Sequence, residues 1–177
     1  MEEIKISNSV YIKSFNSFDY TQNHKLVNQY LNCIIKDYNS SIAIEYIDNL
    51  NSDVFLQDKK LFIYILFSVN QPISFAIFSK ISNTFAKLDL IYTAYEYTKL
   101  GFATIMLRTC AINLLQNKVN QILYIKNGKN EIIENLLSSF SKVDGVECSQ
   151  IDNQIKFNVE KINKNDILSK IKEFVIK

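Results

Sequence analysis

The run Thr98-Lys99-Leu100-Gly101-Phe102-Ala103-Thr104 joins an apolar, strand-like segment to a long apolar helix-like one. A strand that feeds a helix through a small-residue turn leaves the first backbone N–H groups of the helix without partners. Those groups and the helix dipole make such a turn suited to a phosphate or pyrophosphate. Gly101, one of only three glycines in 177 residues, can take backbone angles that other residues avoid and lets an anion approach the main chain. Ala103 keeps the first helical turn narrow, and Thr104 adds a hydroxyl at the same end. Upstream, Asp89 is a lone carboxylate in the run Leu88-Asp89-Leu90-Ile91. A carboxylate held away from water is suited to accept a proton. The alternative for Asp89 is an outward-facing residue on a half-exposed strand.

Other reactive side chains are sparse. The one histidine, His24, stands near a helix start with no cysteine or second histidine beside it, and reads as a surface residue. Three cysteines, Cys33, Cys110 and Cys148, are widely spaced, and each has apolar neighbours. They read as buried structural thiols in a reducing compartment, and no metal site is expected.

Hydrophobic residues make up 47% of the chain and charged residues 21%, the balance of a soluble globular protein. Twenty basic and 18 acidic side chains give a net charge of +2, which neither favours nor disfavours an anionic partner. Lysine, asparagine and isoleucine are abundant throughout, and no basic stripe interleaves with aromatics, so no nucleic-acid partner is expected. The longest apolar stretch, near 61–67, is far short of the roughly 18–20 residues of a membrane span. The opening Met1-Glu2-Glu3-Ile4-Lys5 has no secretory pattern. A cytoplasmic protein without a membrane partner is the expectation.

The elements that must position these residues follow from the apolar period. Residues 10–15 alternate as a first strand. Leu26, Val27, Tyr30, Leu31, Ile34 and Ile35 give 23–38 the spacing of an amphipathic helix, with Thr21 or Asn23 as its cap. A shorter helix is expected over 41–50 and a loop over 49–58. Residues 61–69 and 73–80 form a hairpin around a turn at 70–72, and a turn at Ser82-Asn83 leads to a third antiparallel strand, 85–93. The helix 100–117 has only Arg108 charged along its middle, so it packs on a sheet. A parallel strand at 121–126, a helix at 131–140 and a hairpin of 145–151 with 154–160 complete the core. Asn165 would cap a last helix, 166–176. The spacing therefore predicts one α/β (α+β) domain over 1–177, with a mixed central sheet of about seven strands.

This order, β-α-α-β-β-β-α-β-α-β-β with an added C-terminal helix, resembles the GNAT superfamily of N-acetyltransferases over residues 8 to 160. The family's acetyl-CoA pyrophosphate loop, Arg/Gln-x-x-Gly-x-Gly/Ala, is matched here by Gly101 and Ala103, while Thr98 replaces the Arg or Gln. Losing that side chain removes a charge-assisted contact of roughly 1.5–3 kcal/mol, part of which Lys99 could restore as a point charge. The resemblance implies that acetyl-CoA lies between two diverging strands. Its pyrophosphate would sit on 98–104, which brings in Leu100 and Phe102, and its pantetheine arm would follow the main chain of Ile91, Tyr92 and Thr93. An amide near Tyr92 would polarise the thioester, and Asn130 would make a further cofactor contact.

The resemblance also implies a general base from the strand of Asp89. The acid for the departing thiolate falls, by family position, at Leu137, which cannot donate a proton. Tyr124 or water must replace it, or turnover is lost. The implied activity is acetyl transfer from acetyl-CoA to an amine by direct attack. The alternative is a catalytically weak or inactive protein of the same fold that binds acyl-CoA or a protein partner. A nucleotide-binding protein is disfavoured because no Gly-Lys-Ser/Thr follows Gly101. The acceptor is open among a small-molecule amine (a metabolite or an antibiotic-like amine), a peptide N-terminus and a protein lysine. Asp37, Glu45, Asp48, Asp53 and Asp58 lean it toward a cationic one. A homodimer through the last helix is a further possibility.

Overall fold

A computed structural model describes residues 1–38, 40–50, 60–163 and 165. The expected last helix and most of the 49–58 loop, with Asp53 and Asp58, lie outside the described residues. Along the chain run β1 (Glu2–Lys5), β2 (Val10–Asn16), α1 (Ser17–Ile35), α2 (Ser41–Asn49), β3 (Lys60–Ser68), β4 (Gln71–Lys80) and β5 (Phe85–Thr93). After a 3-10 turn at Tyr95–Tyr97 come α3 (Phe102–Gln116), β6 (Gln121–Ile125), α4 (Glu131–Ser141), β7 (Glu147–Ile151) and β8 (Gln154–Asn158).

The strands form one eight-stranded sheet in the order β1-β2-β3-β4-β5-β6-β8-β7. Every neighbouring pair is antiparallel except β5 and β6. The expected mixed α/β sheet is present, with one strand more than the sequence suggested. That strand is β1, whose Glu-Glu-Ile-Lys has no apolar period. It is held by pairing with β2 and by Glu2, whose Oε2 accepts from Nδ2 of the buried Asn113 at 2.9 Å.

Two apolar layers cover the two faces. Val27, Leu31 and Ile34 of α1 and Ala43 and Ile47 of α2 pack with Ile63, Phe75 and Ile77 on one. Ile105, Met106, Cys110 and Leu114 of α3, with Leu137 and Phe140 of α4, pack with Tyr64, Phe78 and Ile122 on the other. Helix α3 is buried around most of its circumference, as its largely apolar sequence requires. Each of these fully buried aliphatic side chains contributes roughly 1.5–3 kcal/mol relative to exposure.

Several expected boundaries move. Helix α1 starts at Ser17, capped by a reciprocal pair: Asn16 Oδ1 accepts from the Asp19 N–H, and Asp19 Oδ2 from the Asn16 N–H. Asn23, expected as the cap, marks a break inside the helix, with φ −125° and its Nδ2 donating to the Asp19 carbonyl. The β3–β4 turn is Val69-Asn70, both at positive φ (48° and 66°), as a two-residue hairpin demands, and Pro72 falls within β4. Only Cys110 of the three cysteines is buried; Cys33 and Cys148 are exposed, contrary to expectation. Among the described residues no helix is long and apolar enough to cross a membrane, and no cluster of three or more His, Cys, Asp or Glu is placed to hold a metal ion.

Candidate functional site

Strands β5 and β6 pair from Phe85↔Gln121 to Leu88↔Tyr124 and then separate, because β6 ends at Ile125 while β5 runs on to Thr93. On its other side β5 stays paired with β4, with an irregularity: Leu90 lies opposite Ile77 and Leu88 opposite Phe78, leaving Asp89 as an extra residue. This bulge changes which face each side chain takes. Ala86 and Leu88 pack on the α3/α4 side before it, and Leu90 on the α1/α2 side and Ile91 on the α3/α4 side after it.

Alternation from Leu88 places Asp89 on the α1/α2 face, and the bulge puts Leu90 there beside it. Its side chain is only 2% exposed, with Lys87 Nζ 2.7 Å from Oδ1. The Tyr46 hydroxyl of α2 donates to Oδ2 at 2.9 Å. Burial, then the Asp89 charge, pushes the Tyr46 phenol far above its ordinary value, so it remains a donor. Asp89 is thus the buried carboxylate the sequence suggested, with both oxygens engaged. Lys87 and Tyr46 were missed by the sequence reading. Lys87 was findable, since residues i and i+2 of a strand share a face; Tyr46 was not, because its partner comes from a distant element.

Beyond Leu88 the free edge of β5 is main chain. The Ala94 N–H donates to the Ile73 carbonyl. Antiparallel alternation then aims the N–H and C=O of Tyr92 at β4 and those of Ile91 and Thr93 into the gap. The amides that face the gap near Tyr92 are therefore those of Ile91 and Thr93. The Thr93 carbonyl already accepts from the Tyr38 hydroxyl, at the end of α1. The Tyr92 ring stacks on Phe75 at 5.6 Å, meets Tyr38 edge-on at 5.3 Å, and its hydroxyl lies 2.9 Å from Ser40 Oγ. Ser74 Oγ bonds the Tyr92 carbonyl at 2.7 Å and Thr93 Oγ1 at 3.0 Å, which fixes this end of the strand.

The chain then enters the loop that opens α3. Thr98 folds back on the 3-10 turn, its hydroxyl donating to the Tyr95 carbonyl at 2.8 Å. Lys99 takes φ 63° and Gly101 φ 81°, so two left-handed residues turn the main chain into the helix. Gly101 occupies the cap position, and no side chain caps the helix. The first helical bond is Ile105 N–H to the Gly101 carbonyl at 3.1 Å, so the amides of Phe102, Ala103 and Thr104 precede the ladder. Lys99 and Leu100 are exposed beside them, and no acidic residue stands in the first turn to oppose an anion.

No protein-family profile matches the sequence, and no curated protein sequence does. Solved structures do match. The PaiA N-acetyltransferase of Thermoplasma acidophilum, in complex with coenzyme A, aligns at TM-score 0.54 and 13% identity, covering 84% of this chain and 97% of that one. A ribosomal-protein alanine N-acetyltransferase from Escherichia coli aligns at TM-score 0.56 and 15% identity, covering 88% and 97%. A protein from Desulfovibrio desulfuricans described as a GNAT-family acetyltransferase aligns at TM-score 0.57 and 10% identity, covering 84% and 96%. The fold is that of the GNAT acetyltransferases.

Within this GNAT fold the remaining expected residues are spread out. Tyr124 packs against the α3/α4 cluster, on the face opposite Tyr46 and Asp89. Its phenol is raised above the ordinary value by burial, then by Glu134 and Tyr92, which keeps it protonated near neutrality. Asn130 caps α4, its Oδ1 accepting from the Ile133 N–H at 3.2 Å, and stands exposed. Leu137 is 2% exposed and belongs to the core. A cleft of about 400 Å³ lies between α4 and the β7–β8 hairpin, lined by Lys126, Glu134, Ser138, Cys148 and Gln150 among others. The fold thus brings 91–93 and 98–104 to the two ends of one loop, with Asp89 and Tyr124 on opposite faces of the sheet.

Proposed function

We propose that the protein is an acetyl-CoA-dependent N-acetyltransferase acting on a primary amine of a small molecule or peptide. The observation that carries this reading is the parted edge of β5 running through Gly101 into the uncapped start of α3. A pantetheine arm would add to the free main chain at Ile91 and Thr93 as a short extra strand. Its pyrophosphate would take the amides of 101–104, with Lys99 nearby. The thioester carbonyl would then lie in the gap, where the Ile91 or Thr93 amide can polarise it.

The acceptor must lose a proton before it attacks. For a lysine-like amine this costs roughly 4.6 kcal/mol at pH 7. Asp89 is the base in this reading, held by Tyr46 on the side from which an amine would approach. Tyr124, on the opposite face, is the acid for the departing thiolate. The acidic residues Asp37, Glu45 and Asp48, all exposed around α2, favour a cationic acceptor.

The test begins with acetyl-CoA against ATP in thermal unfolding. Saturation at about 100 times Kd should add roughly 2.7 kcal/mol of stability. A shift with ATP and none with acetyl-CoA would overturn the proposal. Release of free coenzyme A with a panel of amines then reports turnover. Binding without release would favour an inactive acyl-CoA-binding protein, a reading supported by the buried Leu137 and by the full engagement of Asp89.

A further inference from the structure

Lys87 is a primary amine placed where an acceptor would be activated. Its Nζ is 2.7 Å from Asp89 Oδ1, while Tyr46 holds Oδ2 and so turns Oδ1 toward the ammonium. Lys87 pairs with Leu123, one step before the β5–β6 ladder ends at Leu88 and Tyr124. Its side chain is one-third exposed, so the four-carbon stem can move, whereas the carboxylate it touches is 2% exposed and cannot. Two residues of strand rise, roughly 7 Å, carry the ammonium along the sheet face to the level of Asp89. A further two residues on, the Ile91 amide opens into the gap.

We infer that Lys87 is an acetyl acceptor in its own chain, modified from acetyl-CoA bound in the gap. This rests on the proposed cofactor reading and names the acceptor class of the site as a lysine-like alkylammonium. Asp89 takes one proton from the Lys87 ammonium. The amine nitrogen then forms a bond to the thioester carbonyl carbon, and the carbon–sulfur bond breaks. Coenzyme A leaves as thiolate and takes up the second amine proton, while Asp89 returns the first to solvent. The products are Nε-acetyl-lysine, coenzyme A thiol and one released proton. The acetylated side chain is neutral and no longer pairs with Asp89, so the modification also frees Oδ1 for an external amine.

The experiment incubates the whole chain with acetyl-CoA alone and follows each lysine by peptide mass spectrometry, beside thermal unfolding under the same conditions. Lys161 is the internal control: its side chain is 74% exposed, against 33% for Lys87, so unassisted chemistry would mark it sooner. Acetylation of Lys87 is expected to run at least about tenfold ahead of Lys161, with a half-time unchanged on dilution of the protein, as intramolecular transfer requires. Asp89→Asn should slow it by roughly 100-fold or more. Tyr46→Phe, which leaves the carboxylate in place, is a second variant and should slow it less. A thermal shift with Lys87 no faster than Lys161 overturns this inference alone. A half-time that lengthens on dilution overturns transfer within one chain. Absence of any thermal shift overturns the cofactor reading and this inference together.

Discussion

Replacing Lys87 by methionine keeps most of its apolar stem and removes the charge, so the buried Asp89 carboxylate is left with Tyr46 alone. Removing one partner of a fully buried ion pair costs about 3–5 kcal/mol, and of an exposed pair about 0.2–1 kcal/mol. Asp89 is 2% exposed and Lys87 33% exposed, which places this pair between those limits. The expected loss is about 2–3 kcal/mol at neutral pH, or roughly 4–12 °C in Tm for a domain of this size. Urea unfolding at pH 7 is the assay. Adding Asp89→Leu to Lys87→Met should recover most of the loss, because a buried pair replaced on both sides by apolar groups is often neutral. A Lys87→Met variant within about 0.5 kcal/mol of the parent at pH 7 would refute the reasoning, since it would make the pair no stronger than a surface contact.

Other perturbations have equally direct outcomes. Asn113→Leu strands the Tyr64 hydroxyl, which donates to Asn113 Oδ1 at 3.0 Å in the core, and should cost about 1–3 kcal/mol in urea unfolding; Tyr64→Phe in the same chain should restore part of it. Gly145→Ala would bring a Cβ to 2.3 Å from the Lys161 carbonyl oxygen at a φ of +79°, so it should lose more than the roughly 1–2 kcal/mol of left-handed strain, read as a fall in Tm. Tyr20, Tyr46 and Tyr64 are raised above the ordinary 10.0 chiefly by burial. Above about pH 10 the unfolded chain releases these protons while the folded chain keeps them, so stability present below that pH should fall by up to about 1.4 kcal/mol per pH unit per tyrosine. Unfolding titrations through this range should show Tyr46→Phe with the shallower slope.

The parts of the fold legible in the sequence are those whose stabilisation is local or periodic. Strands β3, β4 and β5 are dense in β-branched and aromatic residues, and α3 is apolar on most sides, so their type and order follow from pattern alone. Strand β1 was not legible because its anchor, Glu2 to Asn113, spans 111 positions. The start of α1 was misplaced because Leu26, Val27 and Tyr30 supply the strong period, while the capping pair Asn16 and Asp19 lies further upstream. Apolar neighbours also misled for Cys33: next to buried Ile34 and Ile35 it stands exposed on α1, since chain neighbours on a helix point in different directions.

The site shows the same division. Gly101 and Ala103 announced the turn into α3, and Asp89 stood out as a charge among apolar residues. The partners of Asp89 come from the same strand and from α2, and only the first relation is written in residue spacing. Tyr38 reaches the Thr93 carbonyl across 55 positions, a contact that no local pattern encodes.

The extra residue at Asp89 makes β5 a strand with two reading frames. Before it, even-numbered residues face α3; after it, odd-numbered ones do. Deleting Asp89 would remove the carboxylate and the step between the two frames together. It would make Leu88 and Leu90 consecutive opposite Phe78 and Ile77, so Leu90 and Tyr92 would keep the α1/α2 face, and Ile91 and Thr93 would keep their main-chain groups along the gap. A one-residue deletion here should therefore be little worse than a substitution that removes the carboxylate, because the phase of everything between Leu90 and Gly101 is kept.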